Sequence, residues 1–130
     1  MTLRKFILGI DPGTTQTAYC LCTINEDDTE GSKPLSIHSF EKIDNEEMLK
    51  KLHEILENVD KRGDELTIAI EHLESYGTAV GKSTFETAYF IGRLQEIAFT
   101  YSLSNVNIQV DRIYRHEEKM RICHSMKAND

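Results

Sequence analysis

Asp11 ends the apolar run Phe6-Ile7-Leu8-Gly9-Ile10, and Glu71 ends the apolar run Leu66-Thr67-Ile68-Ala69-Ile70. A buried strand that stops on an acid and gives way to a glycine-bearing segment delivers an oxygen ligand to the rim of a sheet. Two such strands side by side would bring two carboxylates to one place. Hard oxygen donors suit Mg2+, and a pair of such ions about 3.5 to 4 Å apart needs several carboxylates from different elements to neutralise its charge. The chemistry this predicts is metal-assisted hydrolysis of a nucleic-acid phosphodiester. In the segment Asp11-Pro12-Gly13-Thr14-Thr15, Gly13 would let backbone and phosphate approach, and Thr14 and Thr15 would donate hydroxyl hydrogen bonds to it. The plainer account of either acid alone is that it marks where a strand leaves the core. The functional case rests on the pair.

The elements that must hold these acids follow from pattern. Residues 6–11 form a first strand, and Pro12-Gly13 turns it into a second over 17–24, making a hairpin. Residues 25–34 are polar and read as an exposed loop before a third strand over 35–43. Asp44 and Glu47 match a capping box opening a helix whose apolar residues Met48, Leu49, Leu52, Ile55, Leu56 and Val59 recur at helical spacing, and Arg62-Gly63-Asp64 ends it. The fourth strand, 66–71, is apolar on both faces and is therefore expected at the centre of a sheet. A loop through Gly77 and Gly81 leads to a second helix over about 83–102, with Phe85, Ala88, Tyr89, Gly92 and Ala98 expected to face inward. Gly92 costs that helix about 1 kcal/mol relative to Ala, which predicts a neighbour packed too close for a side chain. A fifth strand over 106–114 runs into the basic, weakly patterned segment 115–125. This order predicts an α/β fold: a mixed five-stranded sheet, three antiparallel strands and then crossover strands, flanked by helices on both faces in the ribonuclease H-like arrangement.

Composition narrows the function classes. The 130 residues, 39% of them hydrophobic, suffice for one domain spanning 1–130. No apolar run approaches the roughly 18 residues of a membrane span. The start Met1-Thr2-Leu3-Arg4-Lys5 has no signal-peptide core behind it, so a cytoplasmic location is expected. Cys20 and Cys22 should share a strand face without bridging, and with Cys123 they show no zinc spacing. The net charge of −7 speaks against indiscriminate affinity for phosphate backbones. It conceals a gradient: residues 23–75 hold 15 acids and 6 bases, whereas residues 76–130 hold 7 bases and 6 acids. Nucleic acid should therefore meet the second half, through Lys82, Arg93, Arg112, Arg115, Lys119, Arg121 and Lys127. A solvated basic rim explains any one of these equally well. His116-Glu117-Glu118 lacks the second histidine of a zinc-protease motif, and His72 should point to the face of its strand opposite Glu71.

The segments Ile7-Leu8-Gly9-Ile10-Asp11-Pro12-Gly13-Thr14-Thr15, Ile70-Glu71 and, within a helix, Gly92-Arg93-Leu94 together resemble the RuvC-type Holliday-junction resolvases of the ribonuclease H-like superfamily. The stretch 71–93 and Arg112-Ile113-Tyr114-Arg115 onward are closer to the phage and mobile-element branch. The resemblance covers most of the chain. It implies a homodimeric, Mg2+-dependent endonuclease, with Mn2+ able to substitute, that cuts branched DNA by paired nicks in recombination and repair. It implies no nucleotide cofactor and no membrane. Asp11 and Glu71 match the family's first two metal-binding carboxylates. Further acids belong to a C-terminal helix in that family, and a chain ending at Asp130 is expected to lack it, leaving Asp130 as the remaining catalytic candidate. Where many members carry an aromatic residue three positions after the glutamate, this chain has Glu74, so Tyr76 is the nearest ring to stack on bases. Lys127 lies where members carry a basic residue near the active site.

Two other classes compete. A resolvase relic that binds DNA without cutting it would keep the first two acids. The actin-like and sugar-kinase fold has a phosphate loop, Asp-x-Gly-Thr-Thr, which Asp11 to Thr15 satisfy, but that fold closes a second such domain over ATP, and the chain has no second copy of the motif. Gly77-Thr78-Ala79-Val80-Gly81-Lys82-Ser83-Thr84 has three residues between its glycines where a Walker loop needs four, leaving the backbone cradle one amide short.

Overall fold

A computed structural model describes residues 4–25, 35–73 and 81–114. Strand β1 (Lys5–Pro12) buries Phe6, Leu8 and Ile10 and leaves Lys5, Ile7 and Gly9 half-buried, the two-residue period of a strand with one face on the core. It folds back antiparallel onto β2 (Gln16–Ile24), with Ile10 opposite Tyr19 and Asp11 opposite Ala18. Strand β3 (Leu35–Asp44) pairs antiparallel with β2, with an irregularity in register between Leu21 and Cys22. After helix α1 (Asn45–Arg62), β4 (Glu65–His72) lies parallel to β1 with Ile10 opposite Ile70. Helix α2 (Lys82–Ser104) then leads to β5 (Ile108–Tyr114), parallel to β4. The sheet order is β3-β2-β1-β4-β5, the mixed ribonuclease H-like sheet that the sequence predicts, with β4 paired on both sides.

Both described helices occupy one face of the sheet, which corrects the expectation of helices on both. The crossovers from β3 to β4 and from β4 to β5 step in the same direction across the sheet. Since such connections are right-handed, both helices land on the same side. There α1 and α2 touch each other and close a single core over Leu8, Tyr19, Ile68 and Ile108. The opposite face carries Ile7, Gly9, Cys20, Cys22, Thr67 and Ala69, all half-buried.

Helix α1 buries the six apolar residues that its spacing predicts, and Gly63 ends it in the left-handed conformation (φ 73°), its N–H donating to the Val59 carbonyl at 3.0 Å. The expected capping box does not form. Asp44 makes no side-chain cap; its Oδ1 instead accepts from Nε2 of Gln16, the residue opposite it across β2 and β3, at 3.4 Å.

Helix α2 presents a different face from the one expected. It buries Thr87, Phe90, Ile91, Leu94 and Ala98, while Phe85 and Tyr89 are 65% and 72% exposed and Ala88 and Gly92 are exposed too. Apolar residues occupy both sides of this helix, so their period does not single out a buried stripe. A side chain at Gly92 would meet nothing within 4 Å, so the anticipated tight packing is absent among the described residues. Strand β5 starts at Ile108 rather than 106. Val106 sits 89% exposed in a turn closed by the Asn107 N–H donating to Asn105 Oδ1 at 2.9 Å. No described helix is long and apolar enough to cross a membrane.

Candidate metal centre and nucleic-acid interface

Small side chains open the site. On the sheet face away from the helices, Gly9 of β1, Ala18 and Cys20 of β2 and Ala69 of β4 stand where larger residues would fill the surface. They line a cavity of about 330 Å3 together with Asp11, Glu71 and Ile113. Parallel pairing of β1 with β4 is in register through Ile10 and Ile70, so the next residue on each strand is an acid on this face. Asp11 is exposed and Glu71 half-buried at its margin. The structure thus brings together the two acids that the sequence singles out.

The donor set fits a hard divalent cation, for which carboxylate oxygens are the preferred ligands. Cys20 also lines the cavity, its Sγ 3.5 Å from that of Cys22. Burial, and then its hydrogen bond with Cys20, push the Cys22 thiol up. A hard divalent cation prefers oxygen to sulfur, so the two carboxylates are the donors of choice in this cavity. Among the described residues no group of three or more His, Cys, Asp or Glu side chains could hold a metal ion.

The turn after Asp11 is built differently from its sequence reading. A Cβ at Gly13 would collide with the backbone carbonyl oxygen of Gln16, so the glycine is required by the turn itself. Thr14 Oγ1 lies 3.3 Å from the Ser83 carbonyl oxygen and 3.0 Å from Thr87 Oγ1, so this hydroxyl is engaged with the first turns of α2. Thr15 is the exposed hydroxyl of the pair. Asn45, which the sequence reading passed over, holds the turn from the other side. Its Nδ2 donates to the carbonyls of Gly13 (3.1 Å) and Thr14 (3.0 Å), its Oδ1 accepts from Thr17 Oγ1 (2.7 Å), and its backbone N–H donates to Thr15 O (2.9 Å). No motif marks such a residue; an Asn directly after a candidate cap is the sole hint.

Lys82 and Arg93 do not join the acids. They line a separate cleft of about 890 Å3 between the Thr14-Thr15 turn, the start of α1 and α2, with Phe85 and Tyr89. Lys82 pairs with Glu86 at 3.7 Å and Arg93 with Glu46 at 3.2 Å. Arg112 alternates onto the core face of β5, opposite Ile70. His72, on that same side of β4, is held below the ordinary histidine range by burial and by the nearby Arg112 charge. Tyr76, Arg115, Lys119, Lys127 and Asp130 lie outside the described residues.

No protein-family model matches the sequence, and no curated protein sequence matches it. Solved structures do. Thermus thermophilus RuvC superposes with a TM-score of 0.61 over 96% of this chain and 73% of its own, at 17% identity. The same organism's RuvC in complex with a Holliday junction substrate gives 0.55 over 91% and 71%, at 18% identity. The yeast mitochondrial Holliday junction resolvase gives 0.50 over 92% and 56%, at 13% identity. Identities this low speak to fold alone. With Asp11 and Glu71 side by side on its first and fourth strands, this chain has the ribonuclease H-like fold of the RuvC-type resolvases.

Proposed function

We propose that the chain is a divalent-cation-dependent endonuclease acting on branched DNA, with Asp11 and Glu71 holding the cation. The observation that carries this reading is the shared cavity, which two carboxylates from distant parts of the sequence line from adjoining strands. Mg2+ or Mn2+ bound there would supply the charge that activates a water for in-line attack on the phosphodiester and stabilises the departing 3′ oxygen. The residues of the chain would do the rest. Asp11 and Glu71 offer the oxygens, Gly13 keeps the turn beside them tight, and Thr15 offers a hydroxyl to phosphate. Lys82 and Arg93 would reach phosphates away from the cavity by exchanging Glu86 and Glu46 for DNA, as exposed ion pairs do at little cost. Tyr76, Arg115, Lys119 and Lys127 extend the proposed surface, and Asp130 is the proposed further acid. A homodimer is proposed through the exposed side of α2, where Phe85, Tyr89, Phe99 and Leu103 stand in solvent.

A second reading is a junction-binding module without nuclease activity. The presence of two acids, not three, in the described cavity favours it. One experiment separates the two: incubation with a synthetic four-way junction and Mg2+. Paired nicks support the enzyme, binding without nicks supports the module, and neither binding nor nicking removes both.

A further inference from the structure

We infer that Asn45 is a positioning residue for the Asp11 side of the metal centre. The inference rests on the cation reading proposed above and adds the part that makes the site rigid. Asp11 is the penultimate residue of β1, one before Pro12, so the placement of its carboxylate depends on the turn that follows. Thr15 and Gln16 are exposed, and the Gly13 and Thr14 carbonyls are taken up by a side chain from another element.

That side chain must carry two donors and an acceptor on one short stem. Asn45 uses all three at once, and its backbone N–H adds a fourth bond to Thr15. Asp would offer oxygens to carbonyls, Ala would offer nothing, and Gln would overshoot by a methylene. Thr17, the partner of the acceptor, is fully buried, so this end of the clamp is anchored in the core and shielded from competing water. The Thr14 hydroxyl, bonded to Thr87 and Ser83, ties the same turn to α2, the next described element after the strand that bears Glu71. The turn beside one acid is therefore bolted to both helices. A ligand-bearing segment held this way loses little freedom when it binds, and removing such support typically weakens metal affinity by about 10- to 100-fold.

The test is a Mn2+ titration of the whole chain, followed by the paramagnetic resonance signal of the free ion, on the unmodified chain, Asn45→Asp, Asn45→Ala and Leu56→Ala. Asn45→Asp is nearly isosteric and keeps the acceptor for Thr17 while losing both donors. It also adds a negative charge, which by itself would tighten cation binding. Weaker binding by about 10-fold or more is therefore attributable to the clamp. Leu56→Ala destabilises the core of α1 away from the turn and should leave the affinity unchanged. Amide hydrogen exchange at Thr14 and Thr15 should quicken in both Asn45 variants and not in Leu56→Ala. Unchanged or tighter Mn2+ binding by Asn45→Asp, or equal weakening by Leu56→Ala, overturns the inference and spares the cation reading. No Mn2+ binding by the unmodified chain overturns the cation reading itself, and the inference with it.

Discussion

Asp11 and Glu71 stand one residue beyond the last register pair of two parallel strands, Ile10 with Ile70, and line the same cavity. Parallel pairing does this geometrically: strands in register point equivalent residues to the same side, so two apolar runs that each end on an acid bring those acids together. The first prediction follows. Asp11→Asn should reduce junction nicking to background while leaving junction binding intact or tighter, since removing a negative charge lessens repulsion of phosphate. Gel-shift and cleavage assays on the same four-way junction check it, and unchanged cleavage would contradict the assignment.

Two glycines should answer to alanine with opposite signs. Gly13→Ala drives a Cβ into the Gln16 backbone carbonyl, which cannot yield without opening the turn, and should cost about 1 to 3 kcal/mol. Gly92→Ala puts a methyl group into open space on an exposed helix face and should gain up to about 1 kcal/mol. Urea denaturation, run dilute enough to keep the chain monomeric, measures both.

The exposed aromatic side of α2 predicts an association that charge would disrupt. Tyr89→Glu puts an acid in the middle of this side and should shift a sedimenting dimer to monomer with no change in circular dichroism. A variant that sediments like the unmodified chain would move the proposed interface elsewhere.

Stability should depend on pH through His72. Burial and the Arg112 charge lower its pKa in the folded chain, whereas the unfolded chain protonates near 6.5. The fold therefore favours the neutral ring. Its contribution is fully present above 6.5 and is lost as the pH falls from there toward the folded-state value, below which it changes no further. Urea midpoints taken between about pH 7.5 and pH 5 should fall with pH, and His72→Gln should flatten that slope.

The sheet could be read from the sequence because its strands are continuous apolar runs with hard stops. Helix α1 could be read because its apolar stripe is narrow and closes on Gly63. The two acids were visible for the same reason as the strands that carry them. What escaped was whatever depends on contacts between elements. Helix α2 has Phe85 and Tyr89 on one side and Phe90, Ile91 and Leu94 on the other, and only packing against β1, β4, β5 and α1 decides which side is buried. Asp44 reads as a cap, yet its carboxylate meets Gln16 across the β2–β3 pair. Asn45 carries no motif, because its partners are the backbone carbonyls of a turn more than thirty residues earlier. Thr14 reads as a phosphate donor, yet its hydroxyl is hydrogen-bonded to α2.

The central claim is that Asp11 and Glu71 act together on one cation, and a double-variant cycle in Mn2+ binding tests it most directly. Asp11→Asn, Glu71→Gln and the combined variant are titrated beside the unmodified chain. If both oxygens hold one ion, either single change removes most of the affinity and the second adds little, a strongly non-additive pair. Full affinity after either single change, or losses that simply add, would mean that the two carboxylates do not share a cation.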